Sequence, residues 1–112
     1  MRMWNVDVKG LCRQHLLGEH LEMHMFVGCI LKGRSLKGYV NSGLVERHTI
    51  KIRHEMLAEE MSRRGYCHKS PLPDYSLVVT GNVDSSNNLL ELHRRCIHCR
   101  KRHYRIKEEI VK

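Results

Sequence analysis

No apolar run in this chain approaches the roughly 20 residues that a membrane-spanning helix needs, so the sequence as given contains no spanning segment. The first residues also lack the basic, then apolar, then small pattern of a secretory leader. Only two prolines occur, Pro71 and Pro73, and they break any helix in the middle of the chain. There is one tryptophan, Trp4, with no internal repeat and no low-complexity segment. Cysteines number five, an odd count, and Cys12 and Cys29 sit within apolar helical pattern. That excludes a secreted disulfide scaffold and points to a reduced, cytoplasmic protein.

Acidic residues are scarce relative to basic ones. Across 112 residues, 20 Lys+Arg face 12 Asp+Glu, a formal charge of +8 with nine histidines besides. A chain this size forms one modest core, and one this basic usually meets a polyanion, with nucleic acid the default. From Arg94 to Lys107 lie Arg94, Arg95, Arg100, Lys101, Arg102, Arg105 and Lys107 with no acid among them. Such density on helical pattern is an electrostatic footprint for phosphate. Lys32, Arg34 and Lys37, among flexible glycines, also suit phosphate contact.

The organising stretch is His15 to Phe26. At about 100° per residue, His15, Glu19, Glu22 and Phe26 share one stripe of a helix, while Leu16, Leu17, Leu21, Met23 and Met25 cover most of the remainder. A helix apolar nearly all round is expected to be buried, so its acids must face a cleft, a partner or a counter-charge. Two carboxylates one turn apart repel, which raises the pKa of one of them. The stripe is therefore a candidate acid/base site, and Met1 to Val8, anchored by Trp4, is the segment expected to lie against it. Arg2 blocks removal of the initiator methionine, so the α-amine of Met1 is the expected chain terminus.

Helices are expected at about Val8 to Lys32, ended by Gly33, and at about His48 to Arg64, ended by Gly65. Ile50, Leu57 and Met61 give the buried stripe of the second. Gly33 to Arg47 reads as a connector, and Tyr66 to Asn88 as irregular, with Ser76 to Thr80 a short extended piece. A third helix begins near Asn87, with Asp84, Ser85 and Ser86 as N-cap choices, and breaks near Cys96. Its expected apolar contacts are Leu89, Leu90, Leu92, Ile97, Tyr104 and Ile106. The expected architecture is all-α, a single-domain three-helix arrangement with long loops over residues 1–112, its basic C-terminal helix spanning about 87–112.

Two metal patterns stand out. His20-x-Glu22-x-His24 is not the zinc-protease spacing, because Glu22 lies about 200° round from His20, but His20 and His24 are placed to share an ion at i, i+4. Cys96-Ile97-His98-Cys99 is half of a structural zinc site; Cys67 and His68, or His93 and His103, are candidates for the other half. The alternative is two reduced cysteines on one helical face.

Met1-Arg2-Met3-Trp4, then Arg13-Gln14-His15-Leu16-Leu17-Gly18-Glu19 and Glu22, resembles the pyrimidine-dimer DNA glycosylases of the phage endonuclease V type. Phe26 to Lys32 is similar to the rest of that family's first helix. Arg53 through Arg64-Gly65-Tyr66 resembles its second, and His68-Lys69-Ser70-Pro71-Leu72-Pro73 resembles a feature of its shorter cellular branch. The likeness spans about the first two-thirds of the chain. It implies an all-helical enzyme whose nucleophile is the α-amine, here that of Met1, beside the catalytic carboxylate of Glu22. His15 and Glu19 would orient that carboxylate. An α-amine titrates near ~7.7–8, so a useful fraction is neutral at physiological pH. The implied activity is a DNA glycosylase with abasic-site β-lyase action on damaged double-stranded DNA, through an imine and with no cofactor; a structural zinc is suggested only by the Cys96-x-x-Cys99 pattern. Arg2 would hold a flanking phosphate, with Arg13, Lys32, Arg34, Lys37, Arg94, Arg95, Arg100, Lys101 and Arg102 completing the nucleic-acid surface of a monomer. Leu21 and Met25 replace family arginines, and the aromatic C-terminal tail of the phage members is absent. Two other readings fit the residues: a non-catalytic, zinc-stabilised nucleic-acid-binding module, and an RNA nuclease working through His15, Glu19 and Glu22.

Overall fold

A computed structural model describes residues 1–67 and 70–111. Its elements are helices α1 (Arg13–Leu31), α2 (Lys37–Asn41), α3 (Ile50–Arg63), α4 (Ser85–Arg95) and α5 (Ile97–Val111), with 3-10 turns at Val8–Gly10 and Arg47–Thr49. The protein is all-α, with no strand among the described residues. Among the described residues five helices replace the expected three. One addition is the short α2 inside the Gly33 to Arg47 connector, and the other arises from the break at Cys96.

The core forms where α1 crosses α3. Leu16, Met23, Phe26 and Val27 from α1 are fully buried with Ile50 and Leu57 from α3, and Met61 is nearly so. Each such side chain contributes about 1.5–3 kcal/mol on leaving water. Both helices end where the sequence says: Gly33 and Gly65 take φ values of 71° and 83°, which a Cβ would resist.

The first helix starts later than expected. Val8–Gly10 is a separate 3-10 turn capped by Asp7, and Leu11 and Cys12 are extended before α1 begins. Leu11 becomes fully buried this way, a tertiary gain that overrides local helix propensity. Nor is α1 apolar and buried all round, because Leu21 is 59% and Met25 47% exposed. Both lie on the lip of a cleft.

In the C-terminal part, Asp84 caps α4 by accepting the Asn87 N–H, one of the expected caps. Of the expected contacts, Leu92 is buried and Leu89 half-buried against the core, whereas Leu90, Ile97 and Tyr104 are exposed. The break puts α5 back against α4 and the Val8–Gly10 turn, so a single apolar stripe through both helices does not form. Ser76 to Thr80 forms no strand; its one backbone bond to the connector runs from Arg47 N–H to Thr80 O (3.0 Å).

Candidate active site

The first four residues are pinned. The Met3 N–H donates to Leu44 O at 2.7 Å, and both Met3 and Trp4 are buried in the core. The Asn88 side-chain amide donates to the carbonyls of Trp4 (2.9 Å) and Met3 (3.4 Å). Its oxygen accepts from Arg2 Nη2 at 2.7 Å. The Arg2 guanidinium also lies over the Trp4 ring, 3.8 Å from its centre, a cation–π contact.

The two acids of the α1 stripe divide their work. Glu19 is 1% exposed and Arg53, from α3, 2%. Arg53 grips Glu19 through Nε to Oε2 (2.6 Å) and Nη2 to Oε1 (2.9 Å), a bidentate charge-assisted pair. The Trp4 N–H also donates to Glu19 (3.2 Å), and the remaining Arg53 nitrogen donates to Val6 O (2.7 Å). One buried ion pair thus joins α1, α3 and the N-terminal segment. Glu19 meets the counter-charge its stripe demanded, and Arg53 is the residue the sequence reading left without a role. Its signal was an arginine on the apolar stripe Ile50, Leu57, Met61, where only a buried carboxylate can satisfy it.

Glu22, one turn on, is half-buried and faces a cleft of ≈ 780 Å³ lined by Met1, Arg2, Trp4, Gln14, His15, Glu19, Leu21, Met25 and Arg95. The Met1 nitrogen lies 3.9 Å from Glu22 Oε1. Burial raises the Glu22 pKa above the ordinary carboxylate value, opposed by the chain's own amino group and the Arg2 backbone N–H. Repulsion from Glu19, the expected cause, contributes less than burial. His15 lines the same cleft edge-on to Trp4, ring centres 6.1 Å apart, and burial lowers its pKa. All four residues expected to carry chemistry therefore meet around one opening. An amine beside a carboxylate in such a cleft can attack an electrophilic carbon while the carboxylate balances developing positive charge.

The basic residues fall into groups. Arg2 and Arg95 line the cleft; Arg95, with Arg94, also binds Glu91, holding that carboxyl at about 2. Arg13 stands with Lys101, Arg102 and Arg105 around a second hollow beside Cys12. Arg102 is partly structural, donating to Lys9 O (2.7 Å). Lys32, Arg34, Lys37 and Arg100 are exposed, with Lys37 beside Arg47.

Among the described residues two side-chain groups could hold a metal ion. Cys96 and Cys99 are joined by Cys12 and His15, every ligand atom within 4.8 Å of the others. Cys67 is exposed and lies outside this group, and His93 and His103 meet edge to face elsewhere (centres 4.8 Å apart). His68 falls outside the described residues. His20 and His24 gather with His54 from α3, their ring centres 4.7 to 5.0 Å apart.

Fold and site together define a small basic helical protein with an amine and a carboxylate opposed in a cleft that Arg2 and Arg95 also line. A family model described as pyrimidine dimer DNA glycosylase matches residues 1–74, which contain Met1, His15, Glu19, Glu22 and Arg53. The chain belongs to that family. No curated protein and no solved structure matches it. Among the described residues no helix is long and apolar enough to cross a membrane.

Proposed function

We propose that this protein is a DNA glycosylase with abasic-site lyase activity, acting on damaged duplex DNA, with UV pyrimidine dimers as the lesion. The observation that carries the reading is the Met1 nitrogen held 3.9 Å from Glu22 at the cleft. Membership of a DNA glycosylase family supports the substrate class.

In the proposed reaction the neutral Met1 amine attacks C1′ of the damaged nucleotide. The glycosidic bond breaks and its electron pair leaves with the base. Loss of a proton from nitrogen and opening of the sugar give an imine. A base then removes the C2′ proton, and β-elimination expels the 3′ phosphate. Glu22 stabilises the cationic sugar and shuttles these protons, and its raised pKa suits a group that both takes and returns a proton. Glu19 and His15 act as positioning residues. Arg2 and Arg95 hold flanking phosphates, the task that Leu21 and Met25 cannot perform, and the nucleotide is drawn out of the stack. The chemistry uses the chain's own groups, so an ion at the Cys12 cluster would serve the scaffold. The basic C-terminal helix belongs to the same helical unit, and the protein acts as a monomer in a reducing compartment.

Borohydride reduction with abasic or UV-irradiated duplex tests this reading. The wild type is expected to form a covalent complex that Glu22→Gln forms at least 10²-fold more slowly, the usual span of acid–base catalysis. Failure of the wild type to trap would overturn the lyase mechanism. Salt-sensitive binding indifferent to Glu22→Gln would favour the binding-module reading, and RNA cleavage by an amine-blocked protein the nuclease.

A further inference from the structure

We infer that Cys12, His15, Cys96 and Cys99 form a tetrahedral Zn²⁺ site that staples the α4–α5 hairpin to the start of the catalytic helix. The sequence offered only half a site, a C-x-x-C at the junction of α4 and α5. The fold supplies the other half from a position 84 residues earlier in the chain. Cys12 Sγ lies 3.8 Å from Cys96 Sγ and 3.3 Å from His15 Nδ1. Zinc bonds of about 2.3 Å to sulfur and 2.0–2.1 Å to nitrogen, at tetrahedral angles, require S···S near ~3.8 Å and S···N near ~3.6 Å. Both Cys12 distances are close to these values, and all four ligand atoms lie within 4.8 Å of one another.

Two backbone N–H groups point at the sulfurs, as they do where a thiolate must be stabilised: Cys12 N–H to Cys99 Sγ (3.3 Å) and Cys99 N–H to Cys96 Sγ (3.4 Å). Cys96 and Cys99 are buried and Cys12 and His15 half-buried, so the site is closed in the manner of structural rather than catalytic zinc. Three cysteines with one histidine select zinc over the hard cations.

The site also accounts for the extended backbone at Leu11 and Cys12. A helix begun at Val8 would carry Cys12 within it, whereas the break leaves Cys12 at the N-cap, facing the hairpin. The stapled hairpin lies beyond residues 1–74, the part matched by the family, yet it carries Asn88, which holds the N-terminal segment, and Arg95, which lines the cleft. With Nδ1 on the metal, His15 keeps its proton on the other ring nitrogen. The ion therefore fixes both the position and the tautomer of a cleft residue without entering the reaction.

Metal analysis of the full-length protein purified under reducing conditions tests the site, independently of any enzymatic activity. One zinc per chain is expected, falling below a tenth of that in the Cys96→Ser/Cys99→Ser double variant and unchanged in His24→Asn. Cobalt exchanged into the wild type should give tetrahedral visible bands with thiolate charge-transfer absorption in the near ultraviolet. That absorption should fall by one thiolate's share in Cys12→Ser. Should the cysteine variants not fold, the wild-type cobalt spectrum decides alone, since the three-histidine group would give no thiolate band. A metal-free wild type that binds neither ion, cobalt bound without thiolate absorption, or a Cys12–Cys96 disulfide found by mass spectrometry would each overturn the proposal.

Discussion

Glu19→Gln should destabilise the protein severely, and removing its partner as well should restore much of the loss. Both members of the Glu19–Arg53 pair are sealed from water, and their two direct bonds are 2.6 and 2.9 Å long. The single substitution leaves a guanidinium buried without its counter-charge, which typically costs about 3–5 kcal/mol. On a total stability of about 5–15 kcal/mol this is a fifth or more of the margin. At roughly 4 °C per kcal/mol for a domain of this size, the melting temperature should fall by about 12–20 °C. Glu19→Leu/Arg53→Met removes both charges and keeps the volume, so it should lie within about 2 kcal/mol of the wild type. Urea unfolding of the wild type, Glu19→Leu, Arg53→Met and the double variant at pH 7.5 closes the cycle, with Glu19→Gln measured beside it. A single variant costing under about 1 kcal/mol, or a double variant no more stable than the singles, would refute the view of Glu19 as the tie for the N-terminal segment.

Other consequences separate site from scaffold. Glu22→Gln should slow covalent trapping by about 10²–10⁴-fold while leaving the melting temperature at pH 7.5 equal or higher, as read by a trapping time course beside a thermal melt. The sign follows from burial: a carboxyl whose folded pKa is raised costs folding free energy once ionised, so the variant's relative gain disappears as pH falls below the unfolded value near ~4.3. The rate of imine formation in the wild type should rise with pH through a midpoint above the ordinary carboxylate range, and this limb should vanish in Glu22→Gln. Asn88→Ala strands the Met3 and Trp4 carbonyls and the Arg2 guanidinium, so a loss of about 1–3 kcal/mol by denaturant unfolding is expected, with faster amide exchange in residues 1–6. Stripping metal with a chelator should raise amide exchange across α4 and α5 well before α1 and α3, which share their own apolar core.

Much of this was legible from residue order because it rests on local rules. Gly33 and Gly65 stop helices through their φ freedom, Asp84 caps α4, and the one-turn spacing of Glu19 and Glu22 sets both on one face. What could not be read was long-range pairing. Arg53 is one arginine among many until α3 is laid across α1, and only then does Glu19 gain its buried partner. Cys12 looked like helix interior because its pattern is helical; its extended backbone comes from contacts with residues more than 80 positions away. The exposure of Leu21 and Met25 was missed for a related reason. Apolar periodicity reports what can be buried, and it does not see a cleft that leaves one side of the helix open.

The proposed mechanism turns on which nitrogen carries the DNA. After borohydride trapping on an abasic duplex, protease digestion and mass spectrometry should place the sugar adduct on the N-terminal peptide, at the Met1 α-nitrogen. Acetylating that amine should abolish trapping. An adduct mapped to a lysine side chain, or trapping undiminished in the acetylated protein, would contradict the central claim.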